Sequence, residues 1–325
     1  MTLSLATRGD RRSTPVCQPT SVHEEGSRRA IIAAFIANLG IATIKFIGAA
    51  ITGSAGLLAE GVHSLADTGN QGLLFLGGSR ARQKATPEHP FGFGRERYFW
   101  SFVVALVLFS MGGLFAIYEG IDKLIHPHAP ESLWVAVTIL LLSIVLESWS
   151  LRTAKRESNP LRGRQSWWSF IRTSRNPELP VVLLEDTGAL CGLFFALVGI
   201  LLAYFTDEPR WDAVGGLAIG ILLVAIAMLL AVEMKGLLIG ESATPEMQQA
   251  IADAMTTAPS VRRLIHLRTE HLGPDDVLVG AKLEFDPTLS VPDLAVAIDD
   301  VEARVRSVVP AARVMYLEPD VHRDS

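Results

Sequence analysis

Long apolar stretches alternate with short polar connections along most of the chain before residue 240. Each stretch contains about 20 residues or more, which is the length a helix needs to cross a hydrocarbon core of about 30 Å. The pattern therefore predicts six membrane-spanning helices, at about residues 30–51, 55–78, 98–122, 132–151, 179–205 and 212–239.

A different pattern follows Gly240. Two amphipathic segments, which begin at Thr244 and Ser290, predict helices, and apolar and polar residues alternate as in β-strands in three other segments. The order of these elements is αββαβ, which is typical of a small ferredoxin-like α+β domain with its helices on one face of a sheet. The predicted fold class is thus an α-helical membrane protein with six transmembrane helices and an α+β domain after them.

Composition supports a membrane protein. The chain has 325 residues, of which 49% are hydrophobic and only 19% are charged, whereas an ordinary soluble protein carries more charge. The net charge of −5 and the lack of a basic stripe with interleaved aromatic residues argue against a nucleic-acid partner. The two cysteines, Cys17 and Cys191, cannot form a disulfide framework or a CxxC metal site.

Basic residues predict the orientation in the membrane. Five arginines precede the first span, and dense groups of lysine and arginine lie at 80–97 and 152–175, whereas the connections on the opposite side carry few. Positive residues remain on the cytoplasmic side, so both termini are predicted to be cytoplasmic, in the cell (inner) membrane if the source is bacterial. We therefore predict a disordered tail at 1–28, which lacks the apolar region of a cleavable signal peptide, a transmembrane domain at 29–240 and a cytoplasmic domain at 241–325.

The second span carries polar residues in its middle. His63 and Asp67 are four residues apart and therefore share one helix face. An imidazole and a carboxylate at this spacing can hold one divalent cation, with Zn²⁺, Mn²⁺, Fe²⁺ and Co²⁺ as options. The alternative is that His63 and Asp67 only form a hydrogen-bonded polar pair inside the bundle. We interpret Glu60, Asn70 and Gln71 as polar groups of the bundle of this kind.

The fifth span carries two adjacent acids, Glu185 and Asp186, among small residues that let helices approach closely. Adjacent helical residues point about 100° apart, so we expect Asp186 to face the pair on the second span. Glu185 is expected either to pack against the bundle or to join from the side as a weaker ligand. Lys45 in the first span is expected to pair with a carboxylate in the bundle, with a snorkelling side chain as the alternative. Glu147, near the end of the fourth span, is interpreted as an interface residue.

These motifs resemble those of the cation diffusion facilitators. The resemblance rests on "TGSAGLLAEGVHSLADTGNQ" at 52–71, "HPFGFGRE" at 89–96, "LLEDTGAL" at 183–190 and the αββαβ tail. These motifs are similar to those of the branch that includes the zinc transporter 9 type. It implies a homodimer that exchanges divalent cations for protons at a site between spans two and five. The family pattern has two ligands four residues apart on each helix, but Val182 stands four residues before Asp186 and cannot coordinate.

The resemblance also implies secondary metal sites at His89, in the loop before span three, and at His266, in the first strand of the tail. Phe93 and Lys282 stand at other positions where relatives often have ligands. The alternative explanation of the "HPFGFGRE" motif is that Pro90, Gly92 and Gly94 set the shape of the loop.

The sequence thus predicts a non-enzymatic, proton-coupled exporter of divalent metal, with Zn²⁺ as the leading cargo and no organic cofactor. Its predicted partners are a second copy of the chain, the lipid bilayer, divalent cations and protons. A non-transporting metal-sensing or scaffold subunit is the alternative, because Val182 leaves the ligand set incomplete. An intramembrane hydrolase is not supported, since the chain has no HExxH motif and no Ser/His or Ser/Lys pair at a clear spacing.

Overall fold

The helical part of the fold follows the predicted spans. The computed structural model describes residues 38–127 and 132–321, so the predicted disordered tail at 1–28 lies outside the described residues. The helices are α1 Asn38–Thr52, α2 Ala55–Ala81, α3 Glu96–Val107, a π-helical segment Leu108–Leu114, α4 Phe115–Ile125, α5 Leu133–Arg162, α6 Trp167–Thr173, α7 Glu178–Thr206 and α8 Arg210–Ile239. The predicted fold class is confirmed, with α3, the π-helical segment and α4 together forming the third span.

Four helical stretches among the described residues are long and apolar enough to cross a membrane, namely Glu96–Ile125, Leu133–Arg156, Glu178–Thr206 and Arg210–Ile239. Helix α2 has 27 residues and a length of about 40 Å, which also suffices to span, but polar residues interrupt its apolar character. The chain is therefore a multi-pass membrane protein whose second helix carries its polar groups inside the bundle.

Local sequence explains where α1 ends and α2 begins. Gly53 has a φ of +63°, which a residue without a side chain adopts at little cost, and its amide donates to the carbonyl of Ala49 at 2.8 Å. Ser54 is the N-cap of α2, because its hydroxyl accepts a hydrogen bond from the amide of Leu57. The two helices thus form a tight hairpin, which sets α1 directly beside the polar face of α2.

Helices α7 and α8 form the centre of the bundle. They pack closely at Gly199 and Gly215, where a Cβ atom added to Gly199 would lie 2.9 Å from the carbonyl oxygen of Trp211. The apolar core on both sides includes Leu193, Ile219 and Leu223, all buried. Close packing through small residues is how membrane helices gain contact area, and here it fixes α7 against α8.

The αββαβ unit after α8 comprises α9 Pro245–Thr256, β1 Val261–Gly273, β2 Asp276–Phe285, α10 Val291–Val308 and β3 Val314–Pro319. Strand β2 lies in the middle of the sheet, antiparallel to β1 and parallel to β3. Alternate residues of β2, from Val277 to Phe285, are buried against Ile251 of α9 and Val301 of α10. The period-two pattern of the strand thus places one face of the sheet on the two helices.

A set of contacts joins the αββαβ unit to the bundle. Gly94, which precedes α3, touches the backbone of Leu272 and Gly273 at the end of β1. Ion pairs Arg95–Glu270 and Arg175–Glu241 flank this contact. The contacts lie at the end of the bundle that carries the dense basic loops.

Candidate metal centre

His63 and Asp67 lie on the inner face of α2, as their spacing predicts. The Nε2 atom of His63 is 3.5 Å from Oδ2 of Asp67, and the imidazole is buried. Neither ring nitrogen of His63 makes a hydrogen bond within the described part of the chain, and the same holds for Oδ1 of Asp67. Buried polar atoms are normally paired, so these free lone pairs are the feature expected of a site that receives a ligand.

The two acids of α7 point in different directions. Glu185 is buried and its Oε1 accepts a hydrogen bond from Nδ2 of Asn70 on α2 at 2.7 Å. Asp186 is half-buried and its Oδ2 accepts a hydrogen bond from the hydroxyl of Ser150 on α5 at 3.1 Å. Both carboxylates interact electrostatically with Asp67. The structure thus brings Glu185 to α2 and leaves Asp186 at the junction of α7 with α5.

Val182 shares the α7 face of Asp186, since the two residues are one turn apart. Its side chain packs with a small apolar cluster that includes Ala154 of α5, Phe170 of α6 and Leu183. The position at which the family pattern has another ligand therefore faces α5 and α6 in this structure.

Lys45 pairs with a carboxylate, as expected. Its Nζ atom lies 3.1 Å from Oε2 of Glu60 and donates a hydrogen bond to the hydroxyl of Ser64 at 2.7 Å. Lys45 and Glu60 are both completely buried. The remaining oxygen of Glu60, Oε1, has no hydrogen-bond partner among the described residues and lies against Gly192 of α7.

Glu147 of α5 is more than an interface residue. It is half-buried, and its carboxylate interacts electrostatically with Lys45, Asp67 and His63. No local pattern signals this role, because Glu147 falls close to the end of an apolar run. Acidic side chains of α2, α5 and α7 therefore act electrostatically on the His63–Asp67 pair.

The π-helical segment Leu108–Leu114 also escaped sequence reasoning. It passes beside the imidazole: a Cβ atom added to Gly112 would lie 3.9 Å from Nδ1 of His63. Such π-helical turns are frequent at functional sites. The two adjacent glycines, Gly112 and Gly113, are the only local signal for a close approach here.

The predicted ligands do not all converge. Nowhere in ranges 38–127 and 132–321 do three or more His, Cys, Asp or Glu side chains lie close enough to hold one metal ion. The His63–Asp67 pair is the part of the predicted set that is assembled, and a third ligand would have to come from α7 by a shift of a carboxylate.

The two secondary positions have little support from their surroundings. His89 is exposed, and its ring contacts that of Phe93 in a tilted arrangement, with 4.6 Å between centroids. His266 lies on β1 directly across from Lys282 on β2, and that lysine forms ion pairs with Glu318 and Asp320. Those carboxylates raise the pKa of Lys282, and an ammonium group cannot coordinate a metal.

A six-helix membrane bundle with a buried imidazole–carboxylate pair, followed by an αββαβ unit, defines a class of metal-cation membrane proteins. Residues 31–239 match the family model described as the cation efflux transmembrane domain, and the chain belongs to this family. The resemblance drawn from the motifs, including the zinc transporter 9 type branch, is confirmed.

Relatives of known name support this assignment. The mitochondrial proton-coupled zinc antiporter SLC30A9 of Homo sapiens is 35% identical over 274 residues, which are 84% of this chain and 48% of that protein. Metal tolerance protein C4 of Arabidopsis thaliana is 26% identical, over 83% of this chain and 60% of the relative. Cation-efflux pump FieF of Pectobacterium atrosepticum is 25% identical, over 84% of each chain.

The chain spans about half the length of the antiporters that it matches at 35% identity. The family is one of cation efflux, and two of these relatives are named as an antiporter and an efflux pump, which agrees with the prediction that the chain is not an enzyme.

Proposed function

We propose that this protein carries divalent metal cations, Zn²⁺ foremost, out of the cytoplasm in exchange for protons. The observation that carries the proposal is the buried His63–Asp67 pair, whose ring nitrogens and Oδ1 atom make no hydrogen bond with any described residue. The relationship to a proton-coupled zinc antiporter supports both the cargo and the exchange. Mn²⁺, Fe²⁺ and Co²⁺ are the other cargoes that a site of nitrogen and oxygen donors admits.

The proposed ligand set is His63 and Asp67 from α2 and Asp186 from α7, with Glu185 as a weaker fourth ligand. Zinc favours four ligands, and a site that must release its ion tolerates an open position. The hydrogen bond of Asn70 on α2 to Glu185, the neighbour of Asp186, supports a contribution of ligands from α7. A divalent cation at His63 would attract these carboxylates, so binding would draw α7 toward α2.

Proton exchange follows from the chemistry of the ligands. Histidine and carboxylate groups bind a metal only after they lose their protons, so metal entry releases protons and proton entry releases metal. A site that alternates between the two sides of the membrane and between these two states exchanges one cation for the other.

The arrangement in the membrane is part of the proposal. The basic loops and the αββαβ unit lie at the same end of the bundle, and the positive-inside rule assigns that end to the cytoplasm. We propose a transmembrane domain at 29–240 and a cytoplasmic domain at 241–325, with both termini cytoplasmic, in the inner membrane if the source is bacterial. A second copy of the chain completes the proposed homodimer.

Vesicles with the purified full-length protein test the proposal. We expect the vesicles to take up zinc in exchange for internal protons, so that the pH inside them changes. Both signals should be lost in Asp67→Asn. The matched control is Asp122→Asn, which makes the same change at an exposed residue near the end of α4. Zinc binding without any flux in the wild type would favour the metal-sensing alternative, and normal flux in Asp67→Asn would refute the site.

A further inference from the structure

Lys45 places a positive charge inside the acidic cluster, and no part of the proposed exchange uses it. We propose that Lys45 sets the metal selectivity of the site by holding Glu60 out of the ligand set. This inference rests on the proposed function, because it concerns the same cations. Lys45 would then contact no metal and still determine which metal the site prefers.

Glu60 lies on the face of α2 from which a third ligand could come, although its carboxylate is turned to Lys45 in this structure. It lies three residues before His63 and seven before Asp67, so all three side chains share one face of the helix. A glutamate three residues before a histidine is a metal-binding arrangement used by helical bundles. Glu60 also interacts electrostatically with both His63 and Asp67. Without another partner, its carboxylate would complete a three-ligand set on one helix.

The ammonium group of Lys45 prevents this. It lies 3.1 Å from Oε2 of Glu60, and its hydrogen bond to the Ser64 hydroxyl holds it on the same turn of α2. Both ends of the ion pair are fully buried, so water does not screen it. Breaking one partner away from such a pair leaves an uncompensated buried charge, which is strongly unfavourable. Glu60 therefore remains on Lys45 when a metal enters at His63.

Only half of the Glu60 carboxylate is used by the ion pair. Oε1 has no hydrogen-bond partner in the described ranges, and neither do the two ring nitrogens of His63. A fully buried carboxylate oxygen without a partner is ready to accept a cation once Lys45 releases the group. The ion pair with Lys45, and not the packing of Glu60 itself, thus keeps this carboxylate out of the ligand set.

The number of oxygen ligands decides which ion the site prefers. Zn²⁺ is satisfied by four nitrogen and oxygen ligands, whereas Mn²⁺ favours six-coordinate, oxygen-rich sites. By removing one carboxylate and adding a positive charge, Lys45 keeps the site poor in oxygen ligands and so favours Zn²⁺. Loss of the ammonium would free Glu60 and shift the preference toward Mn²⁺.

The test compares Zn²⁺ and Mn²⁺ in Lys45→Met, in full-length protein, by equilibrium binding in detergent and by flux in vesicles. We expect the Mn²⁺-to-Zn²⁺ affinity ratio to rise roughly tenfold, the scale of one added charged ligand. Adding Glu60→Gln to this variant should return the ratio to the wild-type value, because the freed ligand is removed. Lys45→Arg, which keeps the charge, is the matched control and should retain the wild-type ratio.

Two results would overturn the inference. The first is an unchanged ratio in Lys45→Met, and the second is a raised ratio that Glu60→Gln fails to reverse, since a merely structural role of Lys45 predicts no such reversal. Lys45→Gln removes the charge and keeps a hydrogen-bond donor for Ser64, so it replaces Lys45→Met if that variant does not fold. Because binding is measured apart from flux, absence of wild-type flux refutes the proposed function without deciding the inference.

Discussion

Asn70 and Glu185 connect α2 to α7 through a buried hydrogen bond of 2.7 Å, from Nδ2 to Oε1. Asn70 lies one turn beyond Asp67, so this bond closes the cluster on the side toward the αββαβ unit. The adjacent Asp186 is held instead by Ser150 of α5. Two neighbouring acids on one helix thus have different partners, and their substitution should have different effects.

Asp186→Asn should weaken zinc binding more than Glu185→Gln. The first change removes a charged ligand, which costs roughly tenfold or more in affinity. The second keeps an oxygen that can accept the hydrogen bond of Asn70, so its effect should be smaller. Zinc titration of the purified variants measures both. Equal losses would make Glu185 a full ligand, and an unaltered affinity in Asp186→Asn would remove Asp186 from the site.

Val182→His restores the ligand spacing of the family pattern, yet it should not tighten zinc binding. The side chain at this position packs with Phe170 and Leu183 in the α5–α6–α7 cluster, away from His63. A polar ring placed there should lower the free energy of unfolding by about 1–3 kcal/mol. Zinc affinity and thermal stability, measured together, test this, with Val182→Leu as the apolar control. A tenfold gain in affinity would show that α7 rotates when metal binds.

Gly94→Ala should loosen the junction between the bundle and the αββαβ unit. A Cβ atom at this position would lie 2.6 Å from the carbonyl oxygen of Leu272 and 3.1 Å from Cα of Gly273. Backbone atoms cannot move aside cheaply, so the loop and the end of β1 must separate. Limited proteolysis of the variant should cut the segment around residue 240 faster than in the wild type.

Gly72→Ala is the matched control for that change, because nothing lies within 4 Å of the added atom and alanine favours a helix. Equal proteolysis rates in Gly94→Ala and Gly72→Ala would contradict the close contact.

The sequence predicts the elements of this fold better than the contacts of its site. Hydrophobic length identifies the spans, and period-two alternation identifies β2, because both patterns reflect burial of whole faces. The sequence predicts the partner of Lys45 only as some carboxylate, and it favours an interface position for Glu147. Which acid of α7 faces α2 depends on the rotation of a helix that is apolar on all sides, and no local pattern fixes that rotation.

The junction is a different case. Arg95 pairs with Glu270, and Arg97 pairs with Glu178 and Asp275. These partners come from distant parts of the chain. Only the folded structure brings these groups together, because nothing in the spacing of the charges specifies them.

His271, at the same junction, is buried near the end of β1. Its amide donates to the carbonyl of Glu241 at 2.9 Å, its Nδ1 lies 3.2 Å from the carbonyl oxygen of Gly273, and its Nε2 has no partner within the described segments. Burial lowers the pKa of His271, the contact with Gly273 opposes this, and the charge of Arg175 lowers the pKa further. The neutral imidazole is therefore the form that fits the folded junction.

The stability of the junction should fall as the pH drops below the ordinary histidine value of 6.5. In that range the unfolded chain binds a proton at His271 and the folded chain does not, so protons favour the unfolded state; above it the penalty is absent. His271→Asn should reduce the difference in thermal stability between about pH 7.5 and about pH 5.5, whereas His126→Asn, at an exposed histidine, should leave it unchanged. The same pH dependence in wild type and His271→Asn would assign the effect to other groups.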